Sequence, residues 1–153
     1  MNQNPDRDNL PLSKRTIFLD VNGVRAARGI SADRVNELVE AGKLLWVFNL
    51  GRDEKSIRHL RFLAREVANP SGWSSVQLPE VIAQILPVSR RSFSSAEIAQ
   101  WFLVSRPTAC RLGSELGALK NRAWQIERPP LAAYLESQWV GATAKAAGKG
   151  FSA

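Results

Sequence analysis

Arginine and hydroxyl side chains occur together in one short stretch, VSRPTACRLGSEL, at residues 104–116. Ser105 and Thr108 supply hydroxyls, and Arg106 and Arg111 supply planar guanidinium groups that bind two acceptors at once. Such a fork fits a phosphate, or the O6 and N7 atoms of guanine, where a bidentate contact gives about 1–3 kcal/mol of discrimination. The stretch therefore has the chemistry of a nucleic-acid contact. The alternative is the solvated face of an ordinary amphipathic helix.

Two capped helices joined by a tight turn are predicted around this stretch. Ser94 and Glu97 have the spacing of a capping box, which predicts a helix that begins at Ser94. Ser105 then caps a second helix, with Pro107 in its first turn and Gly117 at its end. Two helices so closely joined are typical of a helix-turn-helix.

A small hairpin and a last helix are predicted to follow. The segment at residues 118–127, ALKNRAWQIE, predicts a basic hairpin with Trp124 and Ile126 on its inner side. Pro129 and Pro130 suit the first turn of a final helix, LAAYLESQW. A hairpin directly after a helix-turn-helix has the place of a wing.

The first half of the chain also predicts two capped helices. Asp20 caps a short helix that Gly29 ends, and Ser31 caps a second helix that Gly42 ends. The second helix is mainly acidic, because it carries Asp33, Glu37 and Glu40 against a single cation, Arg34. An acidic helix is repelled by phosphates, so we do not expect it to lie deep in a DNA groove.

A strand and its partner are predicted next. The segment KLLWVFNL alternates in the manner of a strand, and the residues expected on one side are Leu44, Trp46, Phe48 and Leu50. Residues 57–67 favour a second strand that pairs back through Leu60 and Phe62, although their apolar residues also fit one helical face. This hairpin region is basic, and its cations are Arg52, Lys55, Arg58, Arg61 and Arg65.

The two halves partly repeat each other at an offset of about 74 residues. The offset sets Asp20 beside Ser94 and Ser31 beside Ser105, and in each half a capped helix ends at a glycine before a Trp-bearing segment. We therefore predict a mostly α fold with small β-hairpin wings, built as two winged helix-turn-helix units in tandem. The alternative is a single helical core with an N-terminal hairpin.

Four segments follow from this interpretation. Residues 1–15 are a polar, disordered arm, and residues 140–153 are a small-residue, disordered tail. We call residues 16–70 the first unit and residues 76–139 the second unit. The turn-rich ANPSGW, at residues 68–73, is the expected boundary between the units.

Residues 93–138 resemble the excisionase/MerR-like helix-turn-helix family. The residues that carry the resemblance are Ser94, Glu97, Val104, Ser105, Arg106, Thr108, Arg111, Leu112, Trp124, Ile126, Arg128, Leu131, Tyr134 and Leu135. The resemblance implies a small winged-helix DNA-binding module, used in transcription control or in excision complexes of mobile elements. Pro107 and Cys110 depart from the family pattern, which often has a basic residue and a larger exposed side chain there.

Composition agrees with a polyanionic partner. The 153 residues carry a net charge of +7, with 15 arginines against 6 lysines, and the second half holds most of the surplus. One cysteine and one histidine allow no disulfide within the chain and no Cys/His zinc site. The N-terminal residues are too polar for a signal peptide, and no apolar run has the length of a membrane span. We expect a cytoplasmic protein with neither enzymatic activity nor a cofactor.

The sequence therefore predicts a sequence-specific double-stranded-DNA-binding protein, either a transcriptional regulator or an excisionase-type recombination directionality factor. The alternatives are an adaptor that binds another protein through the acidic helix of the first unit, and an RNA-binding winged helix. The first unit is also a candidate surface for self-association or for a protein partner. The residues expected to contact DNA are Arg90, Arg91, Ser105, Arg106, Thr108, Arg111, Lys120, Arg122, Arg52, Lys55 and Arg58.

Overall fold

The protein is mostly helical, with small antiparallel sheets, as predicted. The computed structural model describes residues 16–51, 56–117, 119–120 and 124–141. The helices in this part of the chain are α1 (Val21–Arg28), α2 (Ala32–Glu40), α3 (Ala64–Ala68), α4 (Leu78–Ile85), α5 (Ser95–Phe102), α6 (Arg106–Glu115) and α7 (Arg128–Ser137). The strands are β1 (Phe18–Leu19), β2 (Val47–Asn49), β3 (Leu60–Leu63), β4 (Ser92–Ser94), β5 (Leu119–Lys120) and β6 (Trp124–Glu127). None of these helices is long and apolar enough to cross a membrane.

The same order of elements occurs twice: a strand, two helices and two further strands. In each sheet the last strand lies in the middle and pairs antiparallel with both others, in the orders β1-β3-β2 and β4-β6-β5. Leu19 lies opposite Phe62 in the first sheet, and Phe93 lies opposite Ile126 in the second. The sequence did not predict β1 and β4, because strands of two or three residues are too short for periodicity.

The four N-caps that the sequence predicted are confirmed. The side chains of Asp20, Ser31, Ser94 and Ser105 each accept a hydrogen bond from a backbone N–H in the first turn of the following helix. Glu97 returns a bond to the backbone N–H of Ser94, which completes the capping box. These local bonds fix where α1, α2, α5 and α6 begin.

The turns between the paired helices have the same backbone in both units. Gly29 ends α1 with φ of 64°, and Leu103 ends α5 with φ of 56°. In each turn the N–H groups of this residue and of its successor donate to one carbonyl, that of Arg25 or that of Ala99. Leucine in this left-handed conformation is strained by about 1–2 kcal/mol, and glycine is not.

Residues 57–67 form both of the structures that their pattern allowed. After a short 3₁₀ turn at Ile57–His59, β3 pairs antiparallel with β2, as the predicted hairpin requires. The predicted strand ends at Leu63, and α3 begins at Ala64. Val67 is therefore buried as part of a helix and not as part of a strand. The prediction of a strand is therefore confirmed for the first part of this segment only.

The first sheet is buried on both faces. The residues of one face that pack in a core with α1 and α2 include Leu44, Val47, Leu60 and Phe62. The residues that pack in a second core, shared with the second unit, include Trp46, Phe48, Leu50 and Leu63. The alternation predicted Leu44 on the same side as Trp46, and this prediction is wrong. Leu44 lies in the first of these cores, because β2 begins only at Val47 and Leu44 precedes the strand.

The chain after α7 returns to the first unit and covers the edge of β2. Trp139 stacks on Trp46 with ring centroids 4.8 Å apart, and its indole N–H donates to the carbonyl of Leu45 at 2.8 Å. The N–H of Val140 donates to the carbonyl of Val47 at 2.8 Å. Val140, which the sequence assigned to the loose tail, is therefore held against the first sheet.

We predict that Gly141→Ala destabilises the fold by about 1–3 kcal/mol, because the added Cβ would overlap the Leu45 carbonyl oxygen and the indole nitrogen of Trp139. Gly23→Ala is the control, since its Cβ meets mainly the flexible side chain of Leu19 and alanine favours helix. Urea unfolding measures both variants. A Gly141→Ala protein as stable as Gly23→Ala would show that residues 139–141 do not hold the two units together.

Candidate nucleic-acid interface

The start of α6 is organised by one hydroxyl pair. Ser105 accepts the backbone N–H of Thr108 at 3.2 Å, and its own hydroxyl donates to the Thr108 hydroxyl at 2.8 Å. Pro107 lies in the first turn, where its missing N–H leaves no bond unmade. Ser105, Arg106 and Pro107 are exposed. The first turn of α6 therefore presents its polar end to solvent.

Arg106 lies at one edge of the exposed arc of α6, and Arg111 lies near the other edge, about 40° from the exposed Glu115. At 3.6 residues per turn the two arginines are about 140° apart, with Pro107 and Ser114 between them. Both arginines are exposed. Ala109 and the residues on its side of the helix are buried against the core, as predicted. An arc of this kind can meet two base pairs through two separate guanidinium groups.

Cys110 lies near the Arg106 edge of this arc and is half-buried, whereas the helical register predicted an exposed position. By helical spacing it lies about 40° from Arg106, between Arg106 and Ser114. Among the described residues no group of histidine, cysteine or acidic side chains could hold a metal ion.

A groove runs along the Arg111 edge of α6. Thr108 and Arg111 line it on one side, and Leu50, Gly51 and His59 from the first unit line it on the other. It continues into a cleft of about 480 Å³ whose walls include Tyr134 and Gln138 as well as Thr108 and Arg111. The two ends of the loop that connects β2 and β3 therefore lie beside α6.

Tyr134 marks the electrostatic environment of Arg111. The pKa of Tyr134 is raised to about 12, mainly by burial and also by the carboxylate of Glu115, while the positive charge of Arg111 partly opposes this shift. The phenol is neutral at any physiological pH. Arg106, by contrast, has no hydrogen-bond or ion-pair partner within the described residues, so its guanidinium is available to a ligand.

Arg90 is engaged within the protein. Its guanidinium donates to both carboxylate oxygens of Glu97, at 2.6 and 2.8 Å, and lies over the rings of Phe93 and Trp101. The hydrogen bond from Arg90 is the largest of the effects that lower the pKa of Glu97. We therefore assign Arg90 a structural role at the start of α5. Arg91 is exposed, and its carbonyl accepts the N–H of Arg128.

The remaining sequence-predicted contacts lie in the two hairpins. Arg58 is exposed, and its Nε–H donates to the ring of His59 at 3.4 Å. Lys120 is in β5, opposite Trp124. The three predicted contacts that lie outside the described residues are Arg52, Lys55 and Arg122.

Arg61, which the sequence placed in the basic hairpin, is not a surface cation. Its side chain is buried between the two units, and its partners among the described residues are backbone carbonyls, including those of Phe102 and Leu103. The place of Arg61 in a basic hairpin therefore does not make it part of a basic surface. Its position opposite Phe48 in the hairpin directs it towards the second unit.

Glu66 is a second buried charge that the sequence did not identify. Its carboxylate accepts the backbone N–H groups of Leu45 and Trp46 at 2.8 and 2.9 Å. Burial raises the pKa of Glu66, and the two backbone bonds partly oppose that shift. Glu66 supports the chain immediately before β2 by accepting these two N–H groups.

α2, at the place in the first unit that α6 has in the second, presents a different surface. Asp33, Glu37 and Glu40 are exposed on it, and Arg34 forms an ion pair with Glu37 at 3.1 Å. α6 has no acidic residue in its first turn. The two helices thus share a position in the fold and differ in charge.

Comparisons of the chain with protein-family models, with curated proteins and with solved structures found no match.

We predict that Glu97→Gln lowers the free energy of unfolding at neutral pH by about 1–3 kcal/mol, because glutamine keeps the acceptor for Ser94 and loses the charge that binds Arg90. Since the folded-state pKa of Glu97 is lowered, this contribution is present above the ordinary glutamate pKa and is lost as the pH falls through the folded value. Urea unfolding at several pH values measures it.

Glu37→Gln is the matched control, because its carboxylate pairs with Arg34 on the exposed surface of α2, where such a pair contributes at most about 0.5 kcal/mol. Equal losses in the two variants at neutral pH, or a Glu97→Gln effect that does not shrink in acid, would contradict the structural role of the Arg90–Glu97 pair.

Proposed function

We propose that the protein binds double-stranded DNA in a sequence-specific way, with α6 in the major groove. The observation that carries this proposal is that α6 begins directly after a tight turn from α5 and carries Arg106 and Arg111 on its exposed arc. A recognition helix uses the residues near its N-terminus to reach base edges in the major groove. Ser105 and the uncapped N–H groups of this turn suit a phosphate oxygen.

We also infer that each unit is a winged helix-turn-helix and that the two are arranged in tandem. The repeated order of elements, the repeated strand pairing and the left-handed residue at Gly29 and Leu103 support this inference. The hairpins β2–β3 and β5–β6 then have the place of wings. The resemblance of residues 93–138 to the excisionase/MerR-like family supports the same assignment for the second unit.

The two units differ in the charge of their second helix, and we assign them different roles for that reason. α6 reads bases, and α2, with Asp33, Glu37 and Glu40 on its exposed side, stays outside the groove because its acids are repelled by phosphates. The first unit adds contacts to the DNA backbone from the exposed Arg58, since the neighbouring His59 lies beside α6. On this account the protein is a transcriptional regulator or an excisionase-type recombination directionality factor that acts in the cytoplasm.

We predict that Arg106→Ala and Lys120→Ala affect binding differently. Arg106→Ala removes a base contact, so it should relax the preference at one base pair and cost about 1–3 kcal/mol of binding free energy on the preferred duplex only. Lys120→Ala removes a phosphate contact, so it should weaken binding to all duplexes alike and reduce by about one the slope of log affinity against log salt concentration. Duplexes selected from a random pool, titrated at several salt concentrations, measure both effects.

Arg34→Ala is the matched control, because it removes an exposed arginine from α2, which we place outside the groove. It should leave the preferred sequence unchanged. Uniform losses of equal size from Arg106→Ala and Lys120→Ala would contradict base reading by α6. Tighter binding to an RNA duplex than to any DNA duplex would favour the RNA-binding alternative instead.

A further inference from the structure

The guanidinium of Arg61 connects the first unit to the turn that precedes α6. Its Nε donates to the carbonyl of Phe102 at 2.8 Å, and its Nη2 donates to the carbonyl of Leu103 at 2.7 Å. Its Nη1 donates to the carbonyls of Arg58 and Leu60 in its own hairpin, at 2.9 and 3.0 Å. One side chain thus bonds the β2–β3 hairpin to the end of α5.

An arginine suits this place for three reasons. The last carbonyls of a helix have no partner inside the helix, and those of Phe102 and Leu103 point into the junction between the units. A positive charge at the C-terminus of a helix is favoured by the helix dipole. The planar fork reaches two successive carbonyls at once, which the single ammonium group of a lysine does not match. The carboxylate of Asp20 is close enough to act on the charge of Arg61.

A comparison of the same turn in the two units indicates why Arg61 binds the turn of the second unit. The first unit makes the same turn with Gly29, which accepts the left-handed conformation without strain. In the part of the chain that the structure describes, no side chain donates to the carbonyl of Gly29. The second unit has Leu103 at this position, the only described residue other than glycine with a positive φ, and there Arg61 binds the carbonyl.

We propose that Arg61 is a positioning residue, through which the first unit holds the left-handed turn at Leu103 and so sets the direction in which α6 leaves α5. The bonds to two consecutive carbonyls fix the peptide planes on both sides of Leu103, whose N–H groups are those of Leu103 and Val104. Ser105 caps α6, so the angle of the helix follows from these planes. The consequence for DNA rests on the proposed function: base reading by the second unit depends on a residue of the first unit.

Amide hydrogen exchange on the full chain tests the proposal without DNA. In Arg61→Met, the N–H groups of Leu103 and Val104 should exchange faster, by about tenfold for each charged hydrogen bond lost. The N–H groups of Gly29 and Ile30, which make the same bonds in the first unit, are the internal control and should not change. Leu103→Gly, added to Arg61→Met, should restore slow exchange, because glycine needs no help to hold the turn.

Three results would overturn the proposal. The first is an equal increase at both turns, which would indicate general destabilisation. The second is an unchanged rate at Leu103 and Val104. The third is a local increase that Leu103→Gly does not reverse. If Arg61→Met does not fold, Arg61→Lys takes its place, because it keeps the charge and loses the planar fork, and the same three results decide.

A binding measurement separates this inference from the proposed function. The ratio of affinities for selected and random duplexes should fall in Arg61→Met and recover in the double variant. A wild-type protein that binds DNA without preference, together with the expected exchange pattern, would contradict the proposed function and leave the role of Arg61 standing. Preference that survives in Arg61→Met despite fast exchange would show that the turn does not govern base reading.

Discussion

A hairpin that is buried on both faces is the constraint on which the rest of the structure depends. Val47 and Phe62 of this hairpin pack against α1 and α2, while Trp46, Phe48 and Leu63 pack into the core shared with the second unit. A fully buried side chain of this size contributes about 1.5–3 kcal/mol relative to an exposed one. Separation of the units would expose this whole face, so the two repeats form one body. The ends of the loop between β2 and β3 are consequently held beside α6.

Repetition of the backbone and divergence of the chemistry explain how two similar units acquire different roles. The turn between the helices is the same, but glycine provides it in the first unit, and leucine with a remote arginine provides it in the second. The second helix of each unit has the same place, but α2 exposes acids and α6 exposes Arg106 and Arg111. The proposed division into a base-reading unit and a supporting unit follows from these differences in charge.

Local interactions could be predicted from the sequence, and remote ones could not. The capped helix starts at Asp20, Ser31, Ser94 and Ser105 follow from residues three positions apart, and all four are present. The carbonyls that Arg61 binds are 41 and 42 residues away, so its sequence neighbours indicate only a basic hairpin. A cation becomes structural when tertiary packing removes it from water, and no local pattern records that event.

The candidate interface was predicted in part for the same reason. The exposure of Ser105, Arg106 and Arg111 follows from helical spacing, which the sequence shows. The ion pair between Arg90 and Glu97 depends on β4, a strand that is too short to show a periodicity in the sequence. The groove beside α6 depends on the packing of one unit against the other, and only the structure brings Gly51 and His59 to it.

The most direct test of the central claim is a map of the DNA-contacting surface. Amide chemical shifts of isotope-labelled protein, followed as a selected duplex is added, locate that surface residue by residue. The account predicts the largest changes in the first turn of α6 and at Gly51 and His59, with small changes on α2. Changes centred on α2, or none at α6 when the duplex is bound, would contradict it.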